Sequence, residues 1–189
     1  MTTEFASRLT MDSPEWYTPT MFADSARIVM GGIDLDPASH PEANARLKIP
    51  TIYTVEDDGL HQRWNGRVFV NPPGGLVGQF WLKVLAEYHA GHAQQIMWIG
   101  YSLEQLQTLQ NCGGSFTPLD YPICVTAKRI AFVENIAKRN QRLAKLKMQG
   151  KTPNAKSSPT HSNYITYLGP NLKEFHKEFS QYGRVNGIR

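Results

Sequence analysis

Arg67-Val68-Phe69-Val70 runs directly into Asn71-Pro72-Pro73. β-Branched and aromatic residues favour a buried strand. Two consecutive prolines end it, because each fixes φ and lacks the N–H that a sheet ladder needs. The residue before each proline is driven to extended geometry as well. The result is a stiff corner at a strand's carboxyl end, with carbonyl oxygens that no adjacent N–H competes for. Asn71 adds a side-chain acceptor and two donors. Such a corner suits a planar amino group held by both hydrogens, and it serves equally as a plain strand-ending turn.

The flanking pattern decides what sheet this strand joins. Residues 19–30 read as a helix, with Thr18 as N-cap, Pro19 at the first helical position and Gly31-Gly32 as the stop. Strands are expected at 33–35, 51–55 and 95–99. Val77, Phe80, Trp81, Val84, Leu85 and Tyr88 recur at helical spacing. Ser102 heads a helix running to about residue 110. Residues 121–133 and 163–168 read as two strands around a basic loop, and residues 172–181 as an amphipathic final helix. This alternation predicts an α/β fold, a mostly parallel sheet with helices on both faces and an antiparallel C-terminal strand pair. Ligands of such sheets bind beyond the carboxyl ends of the strands. Three segments satisfy that rule: 34–39, 56–60 and 71–75.

At 189 residues the chain is expected to be a single domain, 1–189. Apolar residues make up 41% and charged residues 19%, enough of a core to argue against disorder. The chain contains no apolar run of membrane-spanning length. The opening MTTEFASRLTMD lacks an apolar signal core, so a cytoplasmic location and reduced thiols are expected. Cys112 and Cys124 read as packing residues. The six histidines have no ligand spacing, so no metal is expected. No phosphate-binding glycine motif or nucleophile elbow occurs. The net charge of +4 permits an anionic partner. Lys128, Arg129, Lys138, Arg139, Arg142, Lys145, Lys147, Lys151 and Lys156 stand against one acid, Glu134. Residues 134–160 read as a basic, mobile insertion. It is either a nucleic-acid contact or a solvated charged helix.

Three further clusters could carry chemistry. Asp34, Asp36, Pro37, Ala38 and Ser39 close one strand, and their carboxylates could meet ribose hydroxyls or a cationic ligand, or form an Asx turn. Glu56-Asp57-Asp58-Gly59-Leu60 is a second site or a solvated acidic turn. Glu15, Trp16, Tyr17, Thr18 and Pro19 precede the first helix, either as a hydrophobic staple or as a surface for a flat ligand.

Taken together, EWYTP (15–19), GGIDLDPAS (31–39) with Asn44 following, YTVEDDGL (53–60), W-x-G (64–66) and RVFVNPP (67–73) resemble the phage and prophage DNA N6-adenine methyltransferases related to Dam. KRIAF (128–132) and F-x-x-x-F-x-x-x-G (175–183) fit more loosely. The resemblance is dense over residues 12–85. It implies a Rossmann-like, S-adenosylmethionine-dependent fold and methyl transfer to a flipped-out adenine in DNA, as in restriction-modification or phage self-protection. It also implies that Trp16, Tyr17, Thr18 and Pro19 line the cofactor's methionine part. Asp34, Asp36, Pro37 and Ala38 would meet its ribose or amino acid moiety, and Asp58 its adenine. Asn71, Pro72 and Pro73 would form the catalytic corner. Lys128, Arg129, Lys138, Arg139, Arg142 and Lys145 would contact DNA.

The family places an aromatic residue after Asn-Pro-Pro, where this chain has Gly74-Gly75. That departure supports an alternative, a DNA-binding module that keeps the fold with weakened catalysis. A second alternative is methylation of RNA or of a protein glutamine, whose planar amino groups suit the same corner.

Overall fold

The structure is a computed structural model that describes residues 16–150 and 162–187. In chain order its elements are β1 (Trp16–Tyr17), α1 (Thr20–Met30), β2 (Leu35–Asp36), α2 (Pro41–Leu47), β3 (Thr51–Ile52), β4 (Gly66–Val70), α3 (Val77–His89), β5 (Ala93–Gly100), α4 (Gln105–Gln110), β6 (Ile123–Thr126), β7 (Val133–Glu134), α5 (Ile136–Met148), β8 (Tyr164–Leu168), α6 (Leu172–Phe179) and β9 (Gly183–Asn186). Short 3₁₀ turns lie at Gly74–Leu76 and Pro118–Asp120.

Side chains alternate across the central strands, so one sheet serves two cores. Phe69 of β4, Met97 and Ile99 of β5, and Ile165 and Tyr167 of β8 pack with α1 and α6. Val68 and Val70, Ile96 and Trp98, and Tyr164 and Leu168 face the other way, toward α3 and α4. Trp64, Trp81 and Trp98 are wholly buried in this second layer. Burying a large apolar side chain stabilises the fold by about 1.5–3 kcal/mol. The expected α/β class with helices on both faces is what the chain adopts.

The seven-stranded sheet has the order β3-β2-β4-β5-β8-β6-β9. β3, β2, β4 and β5 pair in parallel, β8 runs antiparallel to β5 and β6, and β9 antiparallel to β6. Strands β2 to β6 therefore share one direction, and β8 and β9 oppose it. The chain moves outward from β2 to β3, then returns to the far side of β2 for β4. The reversal lies between the carboxyl ends of β2 and β4, where open α/β sheets form a ligand-binding crevice.

Several sequence expectations need correction. The first helix begins at Thr20, and Pro19 is its N-cap with no side-chain cap bond. The expected strand over 121–133 is two elements. β6 ends at Thr126, and β7 leaves the main sheet to pair with β1, Trp16 opposite Glu134 and Tyr17 opposite Val133. The antiparallel C-terminal pair is a three-strand arrangement, because β9 adds to the edge of β6. In the basic segment 134–160, residues 136–148 form helix α5, in line with the charged-helix reading of that segment. Its remaining portion, 151–160, and Glu15 lie outside the described residues.

Candidate active site

The crevice is built from three strand ends. β4 delivers Asn71, Pro72 and Pro73. The Pro73 carbonyl accepts from the Leu76 N–H at 2.9 Å, which starts the 3₁₀ turn leading into α3. No described donor meets the Pro72 carbonyl. Asn71 is half-buried, and its amide nitrogen donates to the Trp16 carbonyl at 3.4 Å. That bond is long, yet it sets the amide's orientation and leaves its oxygen as the opposite face. Pro72 is buried, and among the described residues neither its carbonyl nor Asn71 Oδ1 meets a donor, while Pro73 is spent on the turn.

β2 delivers Asp36. Its side chain is buried, and Oδ1 accepts from the Ala38 N–H at 3.1 Å, an Asx-type turn. Burial away from water pushes its pKa up to about 6, against the weaker stabilisation from that N–H and from the nearby Ser39 hydroxyl. No described cation pairs with it. The loop after β3 folds back on this turn. Gly59 lies so close to the Pro37 carbonyl that any side chain at 59 would collide with it. Thr54 caps the same loop through Asp57, N–H and hydroxyl both donating to Oδ2 at 2.8 Å. Asp58 adopts a left-handed backbone with φ of 53° and pairs through Oδ2 with His61 Nδ1 at 2.6 Å. Its Oδ1 is buried without a partner. So is the Ser39 hydroxyl on the facing turn, which lies near Asp36 but meets it in no hydrogen-bond geometry. Buried polar atoms are almost always paired. Two orphans on neighbouring loops at a strand edge are the condition a polar ligand relieves.

β1 is held over the crevice by a side-chain network. Tyr17 is buried and its hydroxyl contacts His40 Nδ1 at 3.2 Å and Glu42 Oε2 at 3.4 Å. Asn135 donates to the Tyr17 hydroxyl at 2.5 Å and to Glu42 at 2.9 Å. The Tyr17 and His40 rings stack at 5.9 Å. The strap β1–β7 is therefore pinned to α2 beyond β2 and, through Trp16, to Asn71 beyond β4. Thr18 is buried and Pro19 half-buried behind the strap.

Asp34 stands apart from this cluster. It lies ahead of β2 and forms a two-point ion pair with Arg67: Nη2 to Oδ1 at 2.6 Å and Nε to Oδ2 at 2.8 Å. The Arg67 N–H also donates to Oδ2 at 2.8 Å. These bonds hold the Asp34 carboxyl below its ordinary pKa. The structure gives Asp34 a partner at the amino ends of β2 and β4, away from the crevice that Asp36 joins.

The expected DNA contacts separate in the same way. Lys128, Arg129, Arg139 and Lys145 are exposed. Arg142 instead grips Glu134 of β7 through Nε and Nη2, at 3.1 and 2.8 Å from Oε1 and 3.1 Å from Oε2. The Glu134 side chain is only 3% exposed, so Arg142 is committed to docking α5 on the strap. Lys138 falls on α5, and its side chain lies outside the described residues.

Sequence reasoning missed Asn135, Glu42 and Asn163. Asn163 is buried, accepts from the Ile130 N–H at 2.8 Å and donates to the Tyr101 carbonyl at 2.9 Å, tying the end of β5 to the segment before β7. Single polar residues carry no periodic signal, and only their place in the fold reveals them. Among the described residues no cluster of three or more His, Cys, Asp or Glu could hold a metal ion, and no helix is long and apolar enough to cross a membrane. No protein-family model, curated protein or solved structure matches the chain.

Proposed function

We propose that the chain is an S-adenosylmethionine-dependent methyltransferase acting on N6 of adenine in DNA. The observation that carries the reading is the pair of acceptors, Asn71 Oδ1 and the Pro72 carbonyl, at the strand crossover point beside buried Asp36. The resemblance of 15–73 to phage adenine methyltransferases supports it, as does the Rossmann-like run of parallel strands.

The residues present fit such a cofactor, because the orphaned Asp58 Oδ1 and Ser39 hydroxyl offer polar contacts to an adenosine and Asp36 offers a buried carboxylate to a cation. When bound, S-adenosylmethionine supplies a methyl group on a sulfonium that a nitrogen lone pair can accept. Asp36, Ala38 and Asp58 would hold it, with the β1 strap closing the pocket. An adenine amino group is a poor nucleophile, since its lone pair is delocalised into the ring. Asn71 and Pro72 would each accept a hydrogen bond from one N6 hydrogen, favouring a pyramidal nitrogen with its lone pair free, and that nitrogen would shed one proton to water on gaining the methyl group. Positioning of this kind needs no covalent enzyme intermediate. An adenine stacked in a duplex cannot reach the corner, so it must be extruded, at a cost of a few kcal/mol. Lys128, Arg129, Arg139 and Lys145 would bind phosphates on the adjoining surface.

The test is methyl transfer from radiolabelled cofactor to DNA, RNA and a glutamine-containing peptide. Incorporation into DNA above the other two is the expected result. Preferential labelling of RNA or peptide would move the reading to its alternative, and no labelling with intact cofactor binding would leave a binding module.

A further inference from the structure

A carboxamide has nearly the same shape either way up, so packing alone does not decide which end of the Asn71 side chain is oxygen. Its hydrogen-bond partner decides. Asn71 Nδ2 donates to the Trp16 carbonyl at 3.4 Å. A carbonyl only accepts, so it draws the NH₂ end and repels the oxygen. With Trp16 displaced, the amide would be free to turn over and put two donors where Oδ1 now stands. A donor cannot receive a group that is itself a donor, such as a planar amine. The place of one backbone carbonyl therefore decides whether Asn71 is an acceptor at the corner.

Trp16 belongs to β1, which lies outside the seven-stranded sheet. Among the described residues its partner strand is β7 alone, and each strand is two residues long. A two-stranded ribbon is marginal in water by itself. The Trp16 ring packs on the α1 layer, and side chains hold the rest of the ribbon. Glu134 stands opposite Trp16 in the register. Its carboxylate is buried and takes Arg142 Nη2 at 2.8 Å from Oε1 and 3.1 Å from Oε2, with Nε at 3.1 Å from Oε1. Arg142 comes from α5, so that helix clamps the ribbon at the register position of Trp16. Asn135 is a second tether, donating to Glu42 Oε2 at 2.9 Å.

We propose that Arg142 is a positioning residue for Asn71: through Glu134 and the β7–β1 ribbon it holds the Trp16 carbonyl that fixes which way the Asn71 amide is turned. An arginine suits this task, because two of its nitrogens meet one carboxylate from fixed directions, which a lysine's single ammonium does not. That Asn71 receives a substrate amine rests on the function proposed above. That the ribbon orients its amide does not, so the two are tested separately.

The test has a spectroscopic arm and a kinetic arm. In isotope-labelled protein the NMR signals of the Asn71 side-chain NH₂ are assigned by their absence from Asn71→Ala. In Arg142→Ala they should move to the shifts of a free carboxamide, while the backbone amides of β4, β5 and β8 stay in place. The pair Glu134→Gln with Arg142→Met removes the clamp without leaving a buried charge unpaired, so it should fold and show the same shift. Arg142→Lys should fall between these variants and the wild type. Asn71 signals that stay put in the folded variants would overturn the proposal. In the kinetic arm, methyl transfer to DNA is measured with Arg142→Ala in two backgrounds. It should lower kcat by up to about 10²-fold with KM for DNA unchanged. In Asn71→Ala the same change should cost nothing further, because Arg142 acts through Asn71. Equal losses in both backgrounds would overturn the proposal and leave Arg142 a purely structural role. Absence of methyl transfer by the wild type would overturn the proposed function, and the spectroscopic arm would still decide whether Arg142 orients Asn71.

Discussion

At the scale of single residues, two groups matter most. Asn71 makes one long bond, to the Trp16 carbonyl, so its loss should leave the fold intact. Asn71→Ala is expected to lower kcat by about 10²–10³-fold, the usual consequence of deleting one preorganised polar partner of the reacting group. Unchanged unfolding temperature alongside that loss is the check. Asp36 is the second group. Its folded pKa of about 6 lies above the ordinary 3.8, so the stability it contributes is present below pH 3.8 and is lost as pH rises through about 6. The ionised, buried carboxylate then costs the fold about 3 kcal/mol, at 1.36 kcal/mol per pKa unit. Asp36→Asn should raise the unfolding temperature above about pH 6 and leave it unchanged below about pH 4, by calorimetry across that range. A cationic ligand favours the ionised carboxylate. Wild-type affinity for S-adenosylmethionine should therefore climb as pH approaches 6 from below, and the asparagine variant should show no such climb.

At the scale of elements, the strap and α5 show why a basic segment is not one functional unit. Arg142 neutralises a buried carboxylate, whereas Lys128, Arg129 and Arg139 project into solvent. Arg142→Ala should loosen α5 and β7, seen as faster amide exchange there, because it leaves Glu134 buried and unpaired. Replacing Lys128, Arg129 and Arg139 together should leave stability alone and flatten the salt dependence of DNA binding by about 0.9 for each phosphate no longer neutralised. An unchanged slope would remove this face from the interface. The same contrast explains what could be read from the sequence. β4, β5 and β8 and helix α3 were readable, because each repeats apolar residues at its own period over enough positions. β1, β7 and β9 were not. The first two are two residues long and exist only because they pair with each other, and β9 is the polar edge Gly183–Asn186, held by its backbone bonds to β6. Helix α2 was also missed. Seven residues are too few for a period, and it is set by its ends: Pro41 at the start, His40 Nδ1 accepting from the Glu42 N–H, and Lys48 in the left-handed region at the close. The Asn71 corner was readable because proline chemistry is local. The Asp34–Arg67 pair was not, since thirty-three residues separate its partners along the chain.

At the scale of the whole molecule, one sheet couples everything. Both apolar layers use opposite faces of the same three strands, β4, β5 and β8, so neither layer can melt alone. Urea unfolding followed by tryptophan fluorescence, which reports mainly the α3 layer, should coincide with unfolding followed by far-ultraviolet circular dichroism. Two separated transitions would show that the layers are independent. The same sheet places the carboxyl ends of β2 and β4 along one edge, which puts buried Asp36 and the Asn71–Pro72 corner at the same end of the sheet. The proposed reaction at this edge is methyl transfer to an adenine amino nitrogen. Its most direct measurement is mass spectrometry of nucleosides from DNA incubated with the protein and S-adenosylmethionine. N6-Methyladenine formed by the wild type and absent with Asn71→Ala is the predicted result. Undiminished N6-methyladenine with Asn71→Ala, or methylation confined to cytosine, would contradict it.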